Sequence, residues 1–279
     1  MLDLLPSARI SQYQPLPSRV LAAGKRRARV ALLSGCVQQI LDQEINFATL
    51  RVLARNGVEV DIPPEQGCCG AVLRHSGDDH GALVLARQNL RAFAGDYDAI
   101  LTNAAGCGSG LKDYQHIFRD MPEEEVANQF VGKIKDVSVF LIELGLETPP
   151  AWSSPLKVAY HDACHLAHAQ GVTDAPRRML NSIQNISLAP IPQAEICCGS
   201  AGTYNLEQPD LANEIGQLKV KNILSTGCEL VATGNIGCMV QLQKHIRLCG
   251  KEIPVYHTMQ ILDMAYRQDT HLEYQKEGK

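Results

Sequence analysis

Eight of the ten cysteines in this chain of 279 residues fall into two sets with the same internal order. Cys36, the pair Cys68-Cys69 followed by Gly70, and Cys107 form the first; Cys164, the pair Cys197-Cys198 followed by Gly199, and Cys238 form the second. Corresponding cysteines are 128, 129, 129 and 131 residues apart, while most of the sequence between them differs. Thiolates suit soft metals and iron-sulfur clusters, so two four-thiol sets in matching register point to two metal centres and to electron transfer. A structural zinc site usually draws on cysteines two to four residues apart, which can face one tetrahedral ion together. Adjacent cysteines point in different directions, an arrangement better matched to a cluster with several iron atoms. A zinc-stabilised scaffold stays open as the alternative. Cys228 and Cys249 have no counterpart in the other set and read as ordinary small side chains.

Histidines stand near these cysteines: His161, His165 and His168 around Cys164, and His75 after the first Cys-Cys-Gly. Histidine can ligate iron, or donate a hydrogen bond to sulfur and raise a cluster's potential, although strand-end histidines more often support a site than form it. Asp162 is either a partner that orients His161 or a turn residue. No Gly-x-Gly-x-x-Gly follows a strand pattern and no phosphate-binding Gly-x4-Gly-Lys-Ser/Thr occurs, so the chain is not expected to bind its own nucleotide or flavin. A Cys-His nucleophile would need one activated thiol and leaves the duplication unexplained. No catalytic residue is assigned.

Both sets need scaffolding that brings three separate segments together. The spacing predicts a strand over 30–33 ending at Ser34-Gly35-Cys36, a helix from Ile45 to Asn56-Gly57, a strand over 58–62 before the Cys68-Cys69 loop, a helix over 83–93, and a strand over 99–101 leading to Cys107. The plan repeats as a strand over 158–160 before Cys164, a helix over 177–183, a strand over 186–188 before Cys197-Cys198, a helix through residues 211–218, and a strand over 230–232 before Cys238. A last strand over 254–256 and a helix over 259–266 close the second unit, and 137–146 serves as the connection. Alternating strands and helices imply βαβ units and parallel sheets. The expected fold is therefore α/β, with two tandem Rossmann-like parallel-sheet domains related by internal duplication. Residues 1–27 form a Pro-rich extended linker, 28–150 the first cysteine-rich domain and 151–279 the second. In such sheets ligands sit beyond the carboxyl ends of the strands, where strand order reverses, and every candidate cysteine follows a strand.

The composition is that of an ordinary globular protein, with 45% hydrophobic and 20% charged residues. A formal charge of -4 argues against a nucleic-acid footprint, and Lys25, Arg26, Arg27 and Arg29 read as a solvated lead-in to the first strand. Neither a secretory signal nor an apolar run of about 20 residues is present, so a cytoplasmic protein without a transmembrane segment is expected, and its cysteines are not expected to form disulfides.

The cysteine pattern resembles the cysteine-rich CCG domain family found in heterodisulfide reductase. It is closer to the glycolate oxidase iron-sulfur subunit, through residues 31–39 (ALLSGCVQQ), 102–108 (TNAAGCG), 160–166 (YHDACHL) and 233–238 (TGNIGC). The resemblance implies iron-sulfur clusters, [4Fe-4S] in type, held by Cys36, Cys68, Cys69, Cys107, Cys164, Cys197, Cys198 and Cys238. It further implies flavin in partner flavoprotein dehydrogenase subunits, a ferredoxin-like module and a quinone-type acceptor. A chain of this kind would act only as part of an oxidoreductase complex, in the cytoplasm or held peripherally at the inner membrane by its partners. Lactate and glycerol-3-phosphate dehydrogenases have subunits with similar cysteines. Two departures stand out. Gly110 and Gln241 occupy the positions of a fifth thiol in heterodisulfide reductase, leaving at most four thiols per site. The ferredoxin-like Cys-x2-Cys-x2-Cys-x3-Cys-Pro runs are also absent, as expected of a chain truncated at its N-terminus or encoded apart from a ferredoxin half.

Overall fold

The structure is a computed structural model and describes residues 14–270 and 272. The first sheet contains β1 (Arg19–Val20), β2 (Ala28–Leu33), β3 (Val58–Asp61), β4 (Ala99–Thr102) and β5 (Ile134–Asp136), in the order β1-β3-β2-β4-β5. The second contains β6 (Leu156–Tyr160), β7 (Ile186–Ala189), β8 (Leu230–Thr233) and β9 (Val255–His257), in the order β7-β6-β8-β9. Leaving β1 aside, the same strand order occurs twice, and every one of these pairings is parallel, such as Val30 beside Ala99 and Val158 beside Leu230. This is the expected duplicated α/β plan. Parallel strands carry helices on both faces, which is why β4 and β8 are buried along their whole length.

Three local expectations change. Part of the 1–27 linker lies outside the described residues, but Arg19–Val20 docks antiparallel on β3, where the Arg19 guanidinium meets Asp61 at 2.5 Å. The connection expected over 137–146 instead follows a strand, β5, and is itself the helix Val137–Leu144, whose Val137, Ser138, Phe140 and Leu141 are buried. Finally, Cys107 and Cys238 lie in the first turns of the helices Ala105–Lys112 and Ile236–Leu248 and not in loops.

The two sheets share one core. A single cluster of buried side chains runs from Val30, Leu32 and Leu101 through Trp152 to Val158, Leu230 and Met259. The closing helices are exchanged across it: Val137–Leu144 packs on Asp174–Asn181, and Thr258–Arg267 packs on Glu44–Arg55. Polar links fasten the second exchange. Arg51 reaches the buried Asp263 carboxylate with Nε at 3.0 Å and Nη2 at 2.8 Å, and the Tyr266 hydroxyl donates to Glu147 O at 2.5 Å. At the start of that helix His257 accepts from Met259 N at 3.1 Å through Nδ1, while Nε2 donates to Asn103 O at 2.7 Å. None of the helices among the described residues is long and apolar enough to cross a membrane.

Candidate metal centres

Strand order reverses between β2 and β4 in the first sheet and between β6 and β8 in the second, and the cysteines gather at these two points. Cys36 lies just beyond β2 and Cys107 just beyond β4; Cys164 and Cys238 stand in the same relation to β6 and β8. The Cys-Cys pairs arrive on the segments after β3 and β7. In the first set the Sγ atoms of Cys36 and Cys68 are 3.5 Å apart, Cys69 interacts with both Cys68 and Cys107, and the four thiols form one continuous group. In the second set Cys164 touches Cys197, Cys197 touches Cys198, and Cys198 touches Cys238. All eight sequence-predicted thiols are thus brought together four by four.

The backbone is shaped for close approach to sulfur. Gly70 and Gly199 both adopt left-handed φ angles, +80° and +89°, and turn their N–H groups back onto the first cysteine of each pair, at 3.5 Å to Cys68 Sγ and 3.3 Å to Cys197 Sγ. Buried polar side chains hold the incoming segments. Asn89 accepts from Gly67 N at 2.9 Å and donates to Cys68 O at 2.9 Å, while Tyr114 donates to Cys69 O at 3.1 Å. In the second set the Lys219 ammonium, fully buried, donates to Ala194 O at 2.8 Å and Gln193 O at 3.3 Å. None of the three is marked out by the sequence: Lys219 and Asn89 are single polar residues on otherwise apolar faces of the helices Pro209–Ser225 and Asp79–Ala92, and Tyr114 reads as an ordinary core aromatic.

Crowding makes the thiols share protons unevenly. Hydrogen bonds from Cys36 and then Cys69 push the Cys68 thiol far down, and Cys197 is lowered in the same way by Cys164 and Cys198. Their donors move the other way: Cys36 and Cys164 rise chiefly by donating to Cys68 and Cys197, and the buried Cys69 and Cys198 rise between two sulfur neighbours each. Four adjacent thiols cannot all ionise beside one another unless a cation displaces their protons, and that is what thiolate ligation of a metal does.

The candidate histidines separate. His161 is 1% exposed, its ring lies within 4.8 Å of the Cys198 and Cys238 sulfurs and, after Cys198, helps hold the Cys238 thiol down, and neither ring nitrogen meets an oxygen or nitrogen partner. His165 Nδ1 stands 3.6 Å from Cys164 Sγ, and its ring faces that of His75 at 6.0 Å. His168 is exposed and near Glu195 O. Asp162 does not orient His161: both its oxygens are taken by Arg177, at 2.6 and 2.5 Å. At the fifth positions, Gly110 is pressed against Ala71, where an added Cβ would come within 2.6 Å of the Ala71 methyl, and Gln241 is engaged by Asn205 and His245. Cys228 is buried away from both sets with its Sγ near Ile223 O, and Cys249 is exposed at the end of a helix.

The loops beyond β4 and β8 meet, with Ala105 N donating to Gly234 O at 3.1 Å and Gly106 N to Asn235 Oδ1 at 3.3 Å. A crystal structure of a hypothetical protein from Helicobacter pylori has a similar fold, with a TM-score of 0.57 and 12% identity over 91% of this chain and 52% of that one. In sequence, the chain is 38% identical to the probable glycolate oxidase iron-sulfur subunit of Bacillus subtilis, over 94% of this chain and 60% of that protein. It is 34% identical to the glycolate oxidase iron-sulfur subunit of Escherichia coli, covering 91% of this chain and 63% of the relative. Against lactate utilization protein A of Oceanobacillus iheyensis identity is 30%, over 84% of this chain and 96% of that one. The chain therefore spans about three-fifths of the two glycolate oxidase subunits. The CCG cysteine-rich domain matches twice, over residues 30–112 and 158–243, so that each match carries one of the thiol sets, and the chain belongs to the CCG cysteine-rich domain family.

Proposed function

We propose that this chain is the iron-sulfur electron-transfer subunit of a flavin-dependent 2-hydroxy acid dehydrogenase, with glycolate as the substrate oxidised by its flavoprotein partners and a quinone-type molecule as the acceptor. The observation that carries the reading is the pair of four-thiol groups, each gathered at the reversal point of its own sheet. Cys36, Cys68, Cys69 and Cys107 would hold one centre, and Cys164, Cys197, Cys198 and Cys238 the other. Both donor sets fit a cluster, because in each the four sulfurs are contiguous, and at the second the buried ring of His161 adds a nitrogen beside Cys198 and Cys238. When bound, [4Fe-4S] clusters would supply one-electron acceptance and donation.

The protein's part is to position and insulate. Gly70 N and Gly199 N direct hydrogen bonds at sulfur, which favours the electron-rich state of a thiolate-bound centre. The helix N-termini carrying Cys107 and Cys238 turn their positive ends toward the same negative charge. Cys198 and Cys238 are shielded from water, whereas Cys36 is exposed, which leaves the first set open to a donor. Beside it Val37, Ile40 and Val72 are exposed apolar side chains, and they support a docking face for a flavoprotein or ferredoxin-like module. Likeness to lactate utilization protein A supports lactate in place of glycolate as the second reading.

The test is co-expression with the neighbouring flavoprotein subunits under anaerobic conditions. Dye reduction driven by glycolate or lactate should require both components, and this chain alone should show none. Substrate oxidation by the isolated chain would overturn the relay.

A further inference from the structure

The two thiol sets share a plan, but their surroundings are not equal. His161 lies three residues before Cys164, and the residue three before Cys36 is Leu33. Lys219 lies seven residues after Ala212, whose carbonyl faces Gly199; seven residues after Ala82, whose carbonyl faces Gly70, stands the neutral Asn89. The second set therefore has an imidazole and a buried ammonium where the first has an isobutyl group and an amide.

A buried imidazole whose only polar neighbours are sulfurs is unusual, because sulfur is a weak acceptor and the hydrogen bonds lost to water cost about 1–3 kcal/mol per group. His161 is in that position, 1% exposed, and the nearest groups that could make use of a ring nitrogen are the Cys198 and Cys238 sulfurs and whatever they hold. Within 4.8 Å of both sulfurs, a nitrogen can reach the same iron as Cys198 or Cys238 after a small ring movement. Resting on the proposed function, we propose that a ring nitrogen of His161 is a ligand of the second centre, giving it four thiolates and one imidazole, and that this centre has the higher potential of the two.

The direction follows from charge. A neutral imidazole adds no negative charge to that of four thiolates, so the order of potentials is set by the cation beside one of the two centres. Lys219, whose ammonium lies within electrostatic reach of Cys198 and Cys197, favours the reduced, more negative state of the second centre, and the neutral Asn89 offers the first no such charge. An electron on the first centre thus moves downhill to the second.

Pulsed paramagnetic resonance on the iron-loaded full chain, unlabelled and with 15N-histidine, tests the ligand, and a redox titration tests the order of potentials. The expected result is a directly bonded nitrogen coupling that changes on labelling and is absent from His161→Leu, which carries the first set's residue. Two titration waves should be resolved, with the upper one shifted or lost in His161→Leu and the lower one unmoved. His161→Gln should also lose the nitrogen coupling. An iron-loaded protein without histidine coupling, a coupling that survives in His161→Leu, or an upper wave that the substitution leaves in place would overturn this inference and spare the relay. A wild-type chain that takes up neither iron nor sulfide would overturn the relay reading and this inference together.

Discussion

Gly70 and Gly199 hold equivalent places after their cysteine pairs, yet replacing them by alanine should have unequal consequences. Both have positive φ, so alanine brings the left-handed penalty of about 1–2 kcal/mol at either position. The space around them differs. A Cβ at Gly70 would lie 3.4 Å from Ala82 O, a contact that a slight shift relieves; at Gly199 it would lie 2.5 Å from Ala212 O. Ala212 is a buried residue of the helix Pro209–Ser225, and its carbonyl cannot swing away without disturbing that helix. The segment carrying Cys197 and Cys198 must move instead, adding about 1–3 kcal/mol of overpacking. Gly70→Ala should therefore cost about 1–2 kcal/mol and Gly199→Ala about 2–5 kcal/mol. Calorimetric melting together with iron counting reads both: Gly199→Ala should melt lower and lose iron from the second centre first. Equal melting temperatures, or greater damage from Gly70→Ala, would refute the steric reasoning.

Acid should weaken the fold through His257. Burial depresses its pKa from 6.5 to about 4, and both ring nitrogens are already engaged, so between these values the unfolded chain takes up a proton that the folded chain refuses. Stability present above pH 6.5 is then lost as pH falls to 4, by about 3 kcal/mol. His257→Asn keeps a capping side chain and should show that much less acid sensitivity in urea titrations. Removing the charge in Asp263→Asn should cost about 1–3 kcal/mol in the same assay by weakening its bonds to Arg51 and Arg267, and a loss below about 0.5 kcal/mol would contradict the role given to that link between the sheets. Cys228→Ala and Cys249→Ala should retain full iron content, since neither thiol belongs to either group. Iron loss in either variant would show that the ligand set is misassigned.

The thiol groups were legible because the duplication wrote their spacing twice, and the strands were legible because their apolar runs end at turn-forming or polar residues such as Ser34-Gly35, Pro63-Pro64, Asn103, Asp162 and Gly234. β5 was not. It is three residues long, with a lysine at its centre, and it becomes a strand only because β4 offers a free edge. The exchange of closing helices is equally silent in the chain, since it depends on Arg51 meeting Asp263 across 212 residues. Asp162 looked like a partner for its neighbour His161, but adjacent residues after a strand point apart, and Arg177, one turn into the helix Asp174–Asn181, claimed the carboxylate. The buried Lys219 and Asn89 were hidden for a related reason: a polar residue in an apolar helix face does not disclose which backbone carbonyl it will serve.

What each four-thiol group holds decides whether this chain carries electrons at all. Iron and acid-labile sulfide should be counted in the full chain after anaerobic purification, alongside Cys69→Ala, Cys198→Ala and the double variant. Iron and sulfide in comparable amounts, with broad visible absorption, reduced by about half in each single variant and nearly abolished in the double one, is the expected result. Zinc in their place, or iron that is indifferent to these substitutions, would contradict the assignment of two iron-sulfur centres.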